Sequence, residues 1–374
     1  MRLLFCSEFF YPEVGGVEEH TKVLAEYFKN KHEVYIATSY NHQRTKNQIN
    51  RFNIRQFNIT GNFVRGYRGD ISQYQNFLTD SNFDLIIFYA SQQWTLDLSL
   101  EILEKIKGKK ILIPCGFSKL RSFLYKPYFF ILKNKINLFD NIITFSKTYQ
   151  DYFFCKKYYK KKINVIYNGA RSIKNDKNKN YIKNKFKLKK NFITFLSIGS
   201  LKFMKGADLA INTIGKIKNE NTILIIICQK IKYNLYYLYI KLLILKLHLF
   251  SKKKILILDK VSQKVKNKIF FNSDYFIHTS RIECSPLVLF ECFSNKKIFF
   301  GRAVGNVKEV IDRHKIGYAS NSLDDLSKKI NDYILKNKHN DTKLKNYIYK
   351  IFKKNYDWNL IMKKYEKVFN RVLT

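Results

Sequence analysis

Short apolar runs alternate with longer amphipathic stretches along most of the chain, and this alternation is the strongest constraint on its fold. Runs rich in Val, Ile and Phe predict buried strands, and helical stretches between consecutive strands favour a parallel sheet covered by helices. A first helix is predicted over residues 17–29, where Val23, Leu24, Tyr27 and Phe28 share one face. The predicted strands span residues 3–6, 34–38, 84–89, 110–114, 141–145, 164–167, 192–198, 222–228, 255–258, 275–279 and 298–300.

The length of the chain and one polar segment indicate two domains. A chain of 374 residues exceeds the usual size of a single domain. Residues 172–191 are rich in Lys and Asn and have few apolar anchors, so they predict a connection between domains. The expected architecture is α/β, with two doubly wound halves that bind ligands beyond the carboxyl ends of their strands.

The net charge of +40, from 69 Lys and Arg against 29 Asp and Glu, raises the question of an anionic partner. Hydrophobic residues make up 46% of the chain, which is enough for folded cores, so the charge does not indicate disorder. Lys is accompanied by abundant Asn, Ile, Phe and Tyr, the bias that A+T-rich coding produces. The excess is therefore attributed partly to bulk composition and partly to attraction to anionic lipids or anionic substrates. Nucleic-acid binding ranks lower because no recognised motif accompanies the charge.

The cysteines and the apolar segments favour a cytoplasmic protein. The six cysteines show no metal-type spacing and mostly lie in apolar runs, as reduced core residues do. The apolar stretch before Ser7 is too short for a signal peptide. The most lipid-like segment, residues 233–250, is interrupted by Lys241 and Lys246, so it does not predict a transmembrane helix.

Residues 280–291 form the sharpest candidate site, because they follow a predicted strand and open a predicted helix. Ser285 is a favourable N-cap and Pro286 suits the first helical position, so the helix is predicted to begin here. The amides of Leu287 and Val288 would then lack helical acceptors and lie at the positive end of the helix dipole. Such a corner predicts an anion site suited to a diphosphate.

Two acids flank this corner. Glu283 lies in the loop before the predicted helix, and Glu291 lies about a turn and a half inside it. Both could accept hydrogen bonds from sugar hydroxyls, and one such charged hydrogen bond contributes about 1.5–3 kcal/mol. The alternative is structural, with Glu291 a solvated helix residue and Glu283 a partner of the helix dipole. The spacing alone favours this alternative.

This stretch resembles the motif of two Glu residues separated by seven others in retaining glycosyltransferases with two Rossmann-like domains, family 4 (glycosyl transferases group 1). The resemblance extends over nearly the whole chain, and the order and spacing of its segments are its strongest support. The other similar segments are residues 11–18, 32–34, 166–169, 198–201 with 205–206, 273–280, 304–311, and 357–358 with 365 and 369.

The resemblance implies a GT-B fold, in which two facing Rossmann-like domains each contain a parallel sheet. It implies an N-terminal acceptor domain over residues 1–170, a C-terminal donor domain over 171–355, and a closing helix over 356–374 that packs back on the first domain. It further implies transfer of a hexose, with retention at the anomeric carbon, from a nucleotide diphosphate sugar to a cell-surface glycan or glycolipid precursor. No metal or other cofactor is expected.

The resemblance also assigns roles to individual residues. Glu291 is expected to hold the nucleotide ribose and Glu283 to contact the donor sugar, while Lys205 and the amides of Leu287 and Val288 balance the diphosphate. Bare glycine backbone at the start of the first helix could approach the donor closely, although an ordinary tight turn would have the same sequence. The other expected donor-binding residues are Gly15, Gly16, Ser200, Lys202 and Ser285.

The chain departs from the family pattern at several positions. Ser200 stands where an Arg is usual, and Lys202 is the candidate replacement for that charge. Cys115 stands where many members carry His, and a thiol cannot act as an imidazole does near neutral pH. Arg171 lies near a position where an acid is common, and a glycine turn is missing at Gln229. These departures concern catalysis and leave the fold prediction intact.

Two other functions stay open from the sequence. The chain could be a non-catalytic sugar-nucleotide binding relative, since the usual Arg and His are absent, or a nucleic-acid binder driven by charge; nucleic acid is not among the expected partners. Two basic aromatic stretches remain, residues 117–136 and 230–254. The first could lie on an anionic membrane near a lipid-linked acceptor, which would place the protein on the inner face of the cytoplasmic membrane. A buried helix with snorkelling lysines would have the same sequence.

Overall fold

The computed structural model describes residues 1–46, 51–172, 180–229, 231–337 and 342–374, which divide into two compact units. The first unit comprises Met1–Asn168 and Ile361–Thr374, and the second comprises Gly169–Leu360. Each unit is built around one parallel sheet. The predicted α/β class with two parallel sheets is therefore confirmed.

A seven-stranded parallel sheet forms the core of the first unit. The strands of this unit are β1 (Arg2–Cys6), β2 (Glu33–Ser39), β3 (Asn53–Phe57), β4 (Ile59–Asn62), β5 (Gly66–Gly69), β6 (Leu85–Tyr89), β7 (Lys109–Ile113), β8 (Asn141–Thr144) and β9 (Ile163–Val165). The sheet order is β3-β2-β1-β6-β7-β8-β9, and β4 and β5 form an antiparallel hairpin. Strands β6 and β8 are buried along their whole length, as central strands of a covered parallel sheet are.

A six-stranded parallel sheet forms the core of the second unit. Its strands are β10 (Ile193–Ile198), β11 (Thr222–Cys228), β12 (Lys254–Asp259), β13 (Tyr275–His278), β14 (Ile298–Gly301) and β15 (Gly317–Ala319). The order is β12-β11-β10-β13-β14-β15, so the direction of winding reverses between β10 and β13. Doubly wound sheets bind ligands at such a switch point. In the first unit the corresponding point lies between β1 and β6.

Helices connect most of these strands. They are α1 (Gly16–Phe28), α2 (Ile71–Asp80), α3 (Trp94–Asp97), α4 (Lys126–Lys135), α5 (Gln150–Tyr158), α6 (Tyr181–Lys185), α7 (Ala207–Gly215), α8 (Leu235–Phe250), α9 (Gln263–Asn272), α10 (Leu287–Ser294), α11 (Val307–His314), α12 (Leu323–Asn337), α13 (Thr342–Asn355) and α14 (Trp358–Leu373). Within the first unit, α14 packs on α1 through the stacked rings of Phe28 and Phe369, whose centroids are 4.8 Å apart.

Each predicted strand is present, with small shifts at its ends. The sequence did not predict β3, β15 or the hairpin, because these elements are short and largely polar or exposed. The prediction that residues 172–191 only connect the domains is partly wrong. Helix α6 lies in this stretch and buries Ile182, which anchors it to the second unit. Residues 173–179 lie outside the described residues.

Gly206 determines how α7 begins. It precedes the helix with a φ of 66°, in the left-handed region, and a Cβ atom there would lie 2.1 Å from the carbonyl oxygen of Thr279. The Thr279 hydroxyl also donates a hydrogen bond to the Gly206 carbonyl at 2.7 Å. Only glycine therefore fits where the loop after β10 contacts the end of β13.

We expect Gly206→Ala to lower the free energy of unfolding by about 1–3 kcal/mol, because the new Cβ meets backbone that cannot move aside. Gly215→Ala, at the other end of α7, is the matched control, since its Cβ would contact only Leu247 at 3.5 Å. The control should remain within about 0.5 kcal/mol of the wild type. Urea denaturation followed by circular dichroism measures both values. Equal stability of the two variants would contradict this account.

Candidate active site

The loops that follow β10 and β13 meet at the switch point of the second unit. The Arg281 amide donates to the Met204 carbonyl at 2.8 Å, and the Ser280 hydroxyl donates to the same carbonyl at 2.9 Å. These bonds hold residues 279–283 against residues 203–206. Because β10 and β13 are neighbours in the sheet, segments far apart in sequence form one site.

An ion pair between Lys205 and Glu283 lies in this site, with Nζ 2.6 Å from Oε1. The side chain of Glu283 is 13% exposed and that of Lys205 is 37% exposed, so solvent reaches the ammonium more readily than the carboxylate. The sequence suggested a catalytic role for each residue, and the structure places them in direct contact. A shielded carboxylate beside an accessible cation can bind a hydroxyl and a phosphate oxygen together.

His278, which the sequence analysis did not select, lies beside this pair. Its Nε2 is 3.6 Å from Oε1 of Glu283. Burial lowers the pKa of His278 to about 4, while the Glu283 charge acts to raise it and the Lys205 charge to lower it further. The ring is therefore neutral near pH 7. The signal in the sequence was a polar residue at the end of the otherwise apolar strand β13.

Arg281 and Asp208 form a second ion pair. It stabilises the loop after β13 that carries Glu283, called the acidic loop below. The two terminal nitrogens of Arg281 lie 2.9 and 2.6 Å from the two carboxylate oxygens of Asp208, and the guanidinium lies 3.8 Å from the ring centroid of Phe203. Burial acts to raise the pKa of Asp208, but hydrogen bonds from Arg281 and Tyr236 outweigh burial and lower it. Arg281 lies within the candidate segment 280–291, but its sequence position suggested no role.

Helix α10 begins at Leu287 with Pro286 as its N-cap, so the prediction that Ser285 caps it is wrong. The reason is that Pro286 has extended backbone, with ψ of 123°, and itself takes the cap position. The Ser285 hydroxyl instead accepts a hydrogen bond from Asn306 Nδ2 at 2.8 Å. Pro286 has no side-chain group that could cap α10, and the amides of Leu287 and Val288 lie in its first turn, where backbone N–H groups lack helical acceptors.

Glu291 lies in the second turn of α10 and is held by a cation. Nζ of Lys266, in α9, lies 2.9 and 3.2 Å from its two carboxylate oxygens. The Glu291 side chain is 25% exposed, so it is not a freely solvated helix residue. The carboxylate is fixed in place while solvent still reaches part of it.

A third loop, after β14, supports the acidic segment. Gly305 has a φ of 58°, and a Cβ atom there would lie 2.3 Å from the Cys284 carbonyl oxygen and 2.6 Å from that of Glu283. The amide of Asn306 donates to the Cys284 carbonyl at 2.9 Å. Glycine is therefore required at 305 for this loop to contact the backbone that carries Glu283.

The remaining predicted residues lie in different surroundings. The Ser200 carbonyl accepts a hydrogen bond from the Lys202 amide at 2.8 Å, and the side chain of Lys202 is exposed. Gly15 and Gly16 belong to the first unit, at the start of α1. A Cβ at Gly15 would collide with the carboxylate of Glu18, whereas one at Gly16 would meet no atom within 4 Å. Their binding roles stay predictions.

Comparison with known families identifies the second unit. Residues 178–351 match the family model of glycosyl transferases group 1, and this range contains Lys205, Glu283 and Glu291. The second unit is thus similar to group 1 glycosyltransferases over this range, which is called the group 1 domain below. The resemblance predicted from the acidic motif is thereby confirmed.

Solved structures similar to the whole chain include glycosyltransferases. Anabaena HepE in complex with UDP and glucose has a TM-score of 0.79 at 15% identity, covering 99% of this chain and 100% of that one. A glycosyltransferase from Rickettsia africae ESF-5 has a TM-score of 0.77 at 18% identity, covering 100% and 98%. WaaG, a glycosyltransferase involved in lipopolysaccharide biosynthesis, has a TM-score of 0.72 at 15% identity, covering 98% and 99%. These likenesses establish a shared GT-B fold. A comparison with curated protein sequences found no match.

The group 1 domain forms its site from side chains and helix ends. Within the described ranges, no group of three or more His, Cys, Asp or Glu residues is placed to hold a metal ion. Independence from metal stays a prediction. Lys205 and the amides at the start of α10 are the groups that can balance a diphosphate.

A second polar cluster, which the sequence analysis missed, lies in the first unit where β1 and β6 end side by side. Glu8 follows β1, and Asp97 lies in α3, after β6. Burial raises the pKa of Asp97 to about 7, although the Tyr67 hydroxyl, which donates to Asp97 Oδ2 at 2.5 Å, acts to lower it. Burial likewise raises the pKa of Glu8 to about 7. No short motif marks these acids in the sequence.

The surroundings of these two acids are typical of a binding site. Among the described residues neither acid forms an ion pair, even though the chain is rich in Lys and Arg. The Ser91 hydroxyl, the Gln92 amide nitrogen and the Thr95 hydroxyl are buried there without hydrogen-bond partners in the described part of the chain. Gln92 also has left-handed backbone, with φ of 61°. Acids without ion-pair partners, backbone in sparsely populated conformations and buried polar groups without hydrogen bonds are all enriched at functional sites.

We expect Asp97→Asn to stabilise the protein at pH 8 but not at pH 4. The folded-state pKa is raised from 3.8 to about 7, so the stability that Asp97 contributes in its protonated form is lost as pH rises across this window. Asn does not ionise and escapes this loss, which amounts to roughly 4 kcal/mol. Urea denaturation at both pH values measures the difference. Asp80→Asn, on the exposed end of α2, is the control for removing a surface carboxyl; an Asp97→Asn profile that runs parallel to that of the wild type at both pH values would refute the raised pKa.

Proposed function

We propose that the protein is a retaining glycosyltransferase that moves a hexose from a nucleotide diphosphate sugar to a cell-surface glycan or glycolipid precursor. The observation that carries the proposal is the Lys205–Glu283 ion pair at the switch point of the group 1 domain, close in sequence to the start of α10. HepE, which shares the fold, was solved in complex with UDP-glucose, and this supports a UDP-sugar as donor. Retention rests on the family resemblance.

The donor diphosphate binds Lys205 and the amides of Leu287 and Val288 in this proposal. Cleavage of the bond to the sugar leaves additional negative charge on the diphosphate, and fixed positive groups stabilise that charge without rearranging. Glu283 accepts hydrogen bonds from the donor sugar. Its negative charge also stabilises the positive charge that develops at the anomeric carbon in the transition state. The ion pair holds both side chains in position before the donor arrives.

Glu291 binds the ribose hydroxyls of the nucleotide. A carboxylate can accept two hydrogen bonds from neighbouring hydroxyls, and each is strengthened by the negative charge. Lys266 contacts both carboxylate oxygens and fixes the side chain, so little conformational entropy is lost when the ribose binds. Lys266 is thus a positioning residue in the proposal.

The first unit binds the acceptor, with Glu8 and Asp97 as the polar groups that contact it. Because their raised pKa values lie near 7, each carboxyl is partly protonated at neutral pH and can both donate and accept hydrogen bonds. Such groups suit the neutral hydroxyls of a glycan. The acceptor is a glycan or a lipid-linked sugar, and the enzyme works in the cytoplasm at the inner face of the membrane.

Replacing Glu291 with Ala should weaken UDP binding about 10- to 100-fold, given the energy of one charged hydrogen bond. Isothermal titration calorimetry with UDP and UDP-glucose measures the change. Asp325→Ala, which removes an exposed carboxylate from α12 of the same unit, is the control and should leave affinity unchanged. Unchanged affinity in the Glu291 variant would remove this residue from the nucleotide site.

Replacing Lys205 with Ala should lower kcat more than it weakens donor binding, because its charge acts mainly on the departing diphosphate. Lys205→Arg should recover part of the loss, since it keeps the charge. Turnover of a radiolabelled donor and calorimetric affinity together separate the two effects. Equal losses in affinity and in kcat/KM would argue against a role in the chemical step.

A non-catalytic sugar-nucleotide binding protein is the second candidate, and one observation favours it. Cys115 occupies the position of the family's His, and burial raises the pKa of its thiol, so it stays uncharged and cannot replace an imidazole. Slow hydrolysis of a labelled UDP-sugar separates the candidates. A binding protein would retain affinity and release no sugar.

A further inference from the structure

Helix α8 turns an apolar face to solvent. The exposed side chains recur at helical spacing along one side, and Leu235, Leu249 and Phe250 are 86%, 71% and 81% exposed. On the opposite side of the helix Ile240 is fully buried, so this side packs against the second unit. The exposed apolar residues of α8 are Leu235, Leu238, Tyr239, Leu242, Leu245, Leu249 and Phe250, and Tyr233 precedes them. This set is called the α8 face.

The α8 face exposes seven apolar side chains of a single helix to solvent. Single exposed apolar residues are normal, but a contiguous apolar face marks a site that another body covers. Helix α8 is too short to span a membrane. Its 16 residues extend over roughly 24 Å, which is less than the hydrocarbon core of a bilayer at about 30 Å. Of the helices in the described residues, none is long and apolar enough to cross a membrane.

The charge around the α8 face identifies what covers it. Residues 231–258 include six Lys and no Asp or Glu. Lys241 and Lys246 are exposed on the helix, and Lys232 and Lys252 are exposed at its two ends. Long Lys side chains can rest on an apolar surface while their ammonium groups reach lipid phosphates. Tyr233 and Tyr239 supply the amphipathic rings that prefer the boundary between lipid and water.

We propose that the α8 face docks onto a lipid bilayer that contains anionic lipids, with the helix lying in the plane of the interface. A second copy of the chain fits less well, because joining two such faces would bring Lys241 and Lys246 of both copies together without any acid to balance them. An apolar helix flanked by basic residues and free of acids is the pattern of interfacial helices.

Helix α8 is also hydrogen-bonded to the candidate active site. The Tyr236 hydroxyl donates to Oδ1 of Asp208 at 2.7 Å, and Asp208 is the ion-pair partner of Arg281 in the acidic loop. The ring of Tyr236 also contacts Phe203 edge-on, with centroids 5.9 Å apart. Docking of α8 would therefore hold the donor site close to the membrane. This inference gives the membrane partner in the proposed function a specific surface.

The α8 face contrasts with the first basic aromatic stretch, residues 117–136, which the sequence favoured for membrane contact. There the described structure buries Tyr128, Phe129 and Leu132 of α4 and exposes Phe123 and Phe130. That stretch thus keeps part of its apolar surface for its own core. Helix α8 buries only Ile240 fully, so it offers the larger free surface.

The test is co-sedimentation of the full chain with vesicles of phosphatidylcholine alone or mixed with phosphatidylglycerol. We expect binding to the mixed vesicles that weakens as salt is raised, and little binding to phosphatidylcholine. The double variant Leu242→Glu with Leu249→Glu should bind the mixed vesicles at least about 10-fold more weakly. Leu335→Glu, which alters an exposed apolar residue of α12 in the same unit, is the matched control and should bind like the wild type.

Three results would overturn the proposal. One is equal vesicle binding by the double variant and the control. Another is loss of binding only in a Phe123→Glu, Phe130→Glu variant, which would place the contact in the first unit. The third is a concentration-dependent dimer in analytical ultracentrifugation that the α8 variant abolishes, which would make a second copy the occupant.

Two further measurements keep the result interpretable. Lys241→Gln with Lys246→Gln leaves the apolar residues in place and should reduce binding to mixed vesicles and its dependence on salt; unchanged binding would contradict the role of charge. UDP affinity, measured on each variant, reports folding of the group 1 domain independently of lipid. Vesicle binding without any nucleotide-sugar affinity would refute the proposed function alone, and the reverse result would refute the α8 face alone.

Discussion

The parallel pairing of β10 with β13 is the constraint on which the candidate active site depends. Its register sets Phe195 against Tyr275 and Leu196 against Phe276, deep in the sheet. This places the loop carrying Lys205 beside the loop carrying Glu283, although the two residues are 78 positions apart. Backbone hydrogen bonds, together with Gly206 and Gly305, hold the loops in this arrangement. The polar contacts of the site are therefore supported by an apolar, closely packed sheet.

The two polar clusters differ in whether their buried acids have cationic partners. In the second unit each acid of the site has a cation: Glu283 has Lys205, Glu291 has Lys266, and Asp208 has Arg281. Each of these carboxylates is thus balanced by a neighbouring cation. In the first unit Glu8 and Asp97 lack cations and their pKa values rise towards 7. One site is thus suited to a diphosphate and the other to neutral hydroxyls.

Most of the strands could be predicted, because a strand inside a covered parallel sheet requires little more than an apolar run. The edge strands β3 and β15 were not predicted, since only one of their eight residues is buried. The acidic motif was visible as two acids around a helix start. His278 was not, since it lies in the sequence among core aromatics and gains its character only from burial beside Glu283.

The sequence by itself determined the buried strands, the helix start near Pro286 and the family that the acidic motif resembles, because these depend on residue type and local spacing. Only the tertiary structure decided which charges meet and which apolar residues stay outside. The α8 face makes the distinction clear, since the sequence showed this segment only as the most lipid-like one of the chain and did not show which of its residues are exposed. Which side of a helix is covered depends on the neighbours that the fold supplies, and local sequence does not contain them.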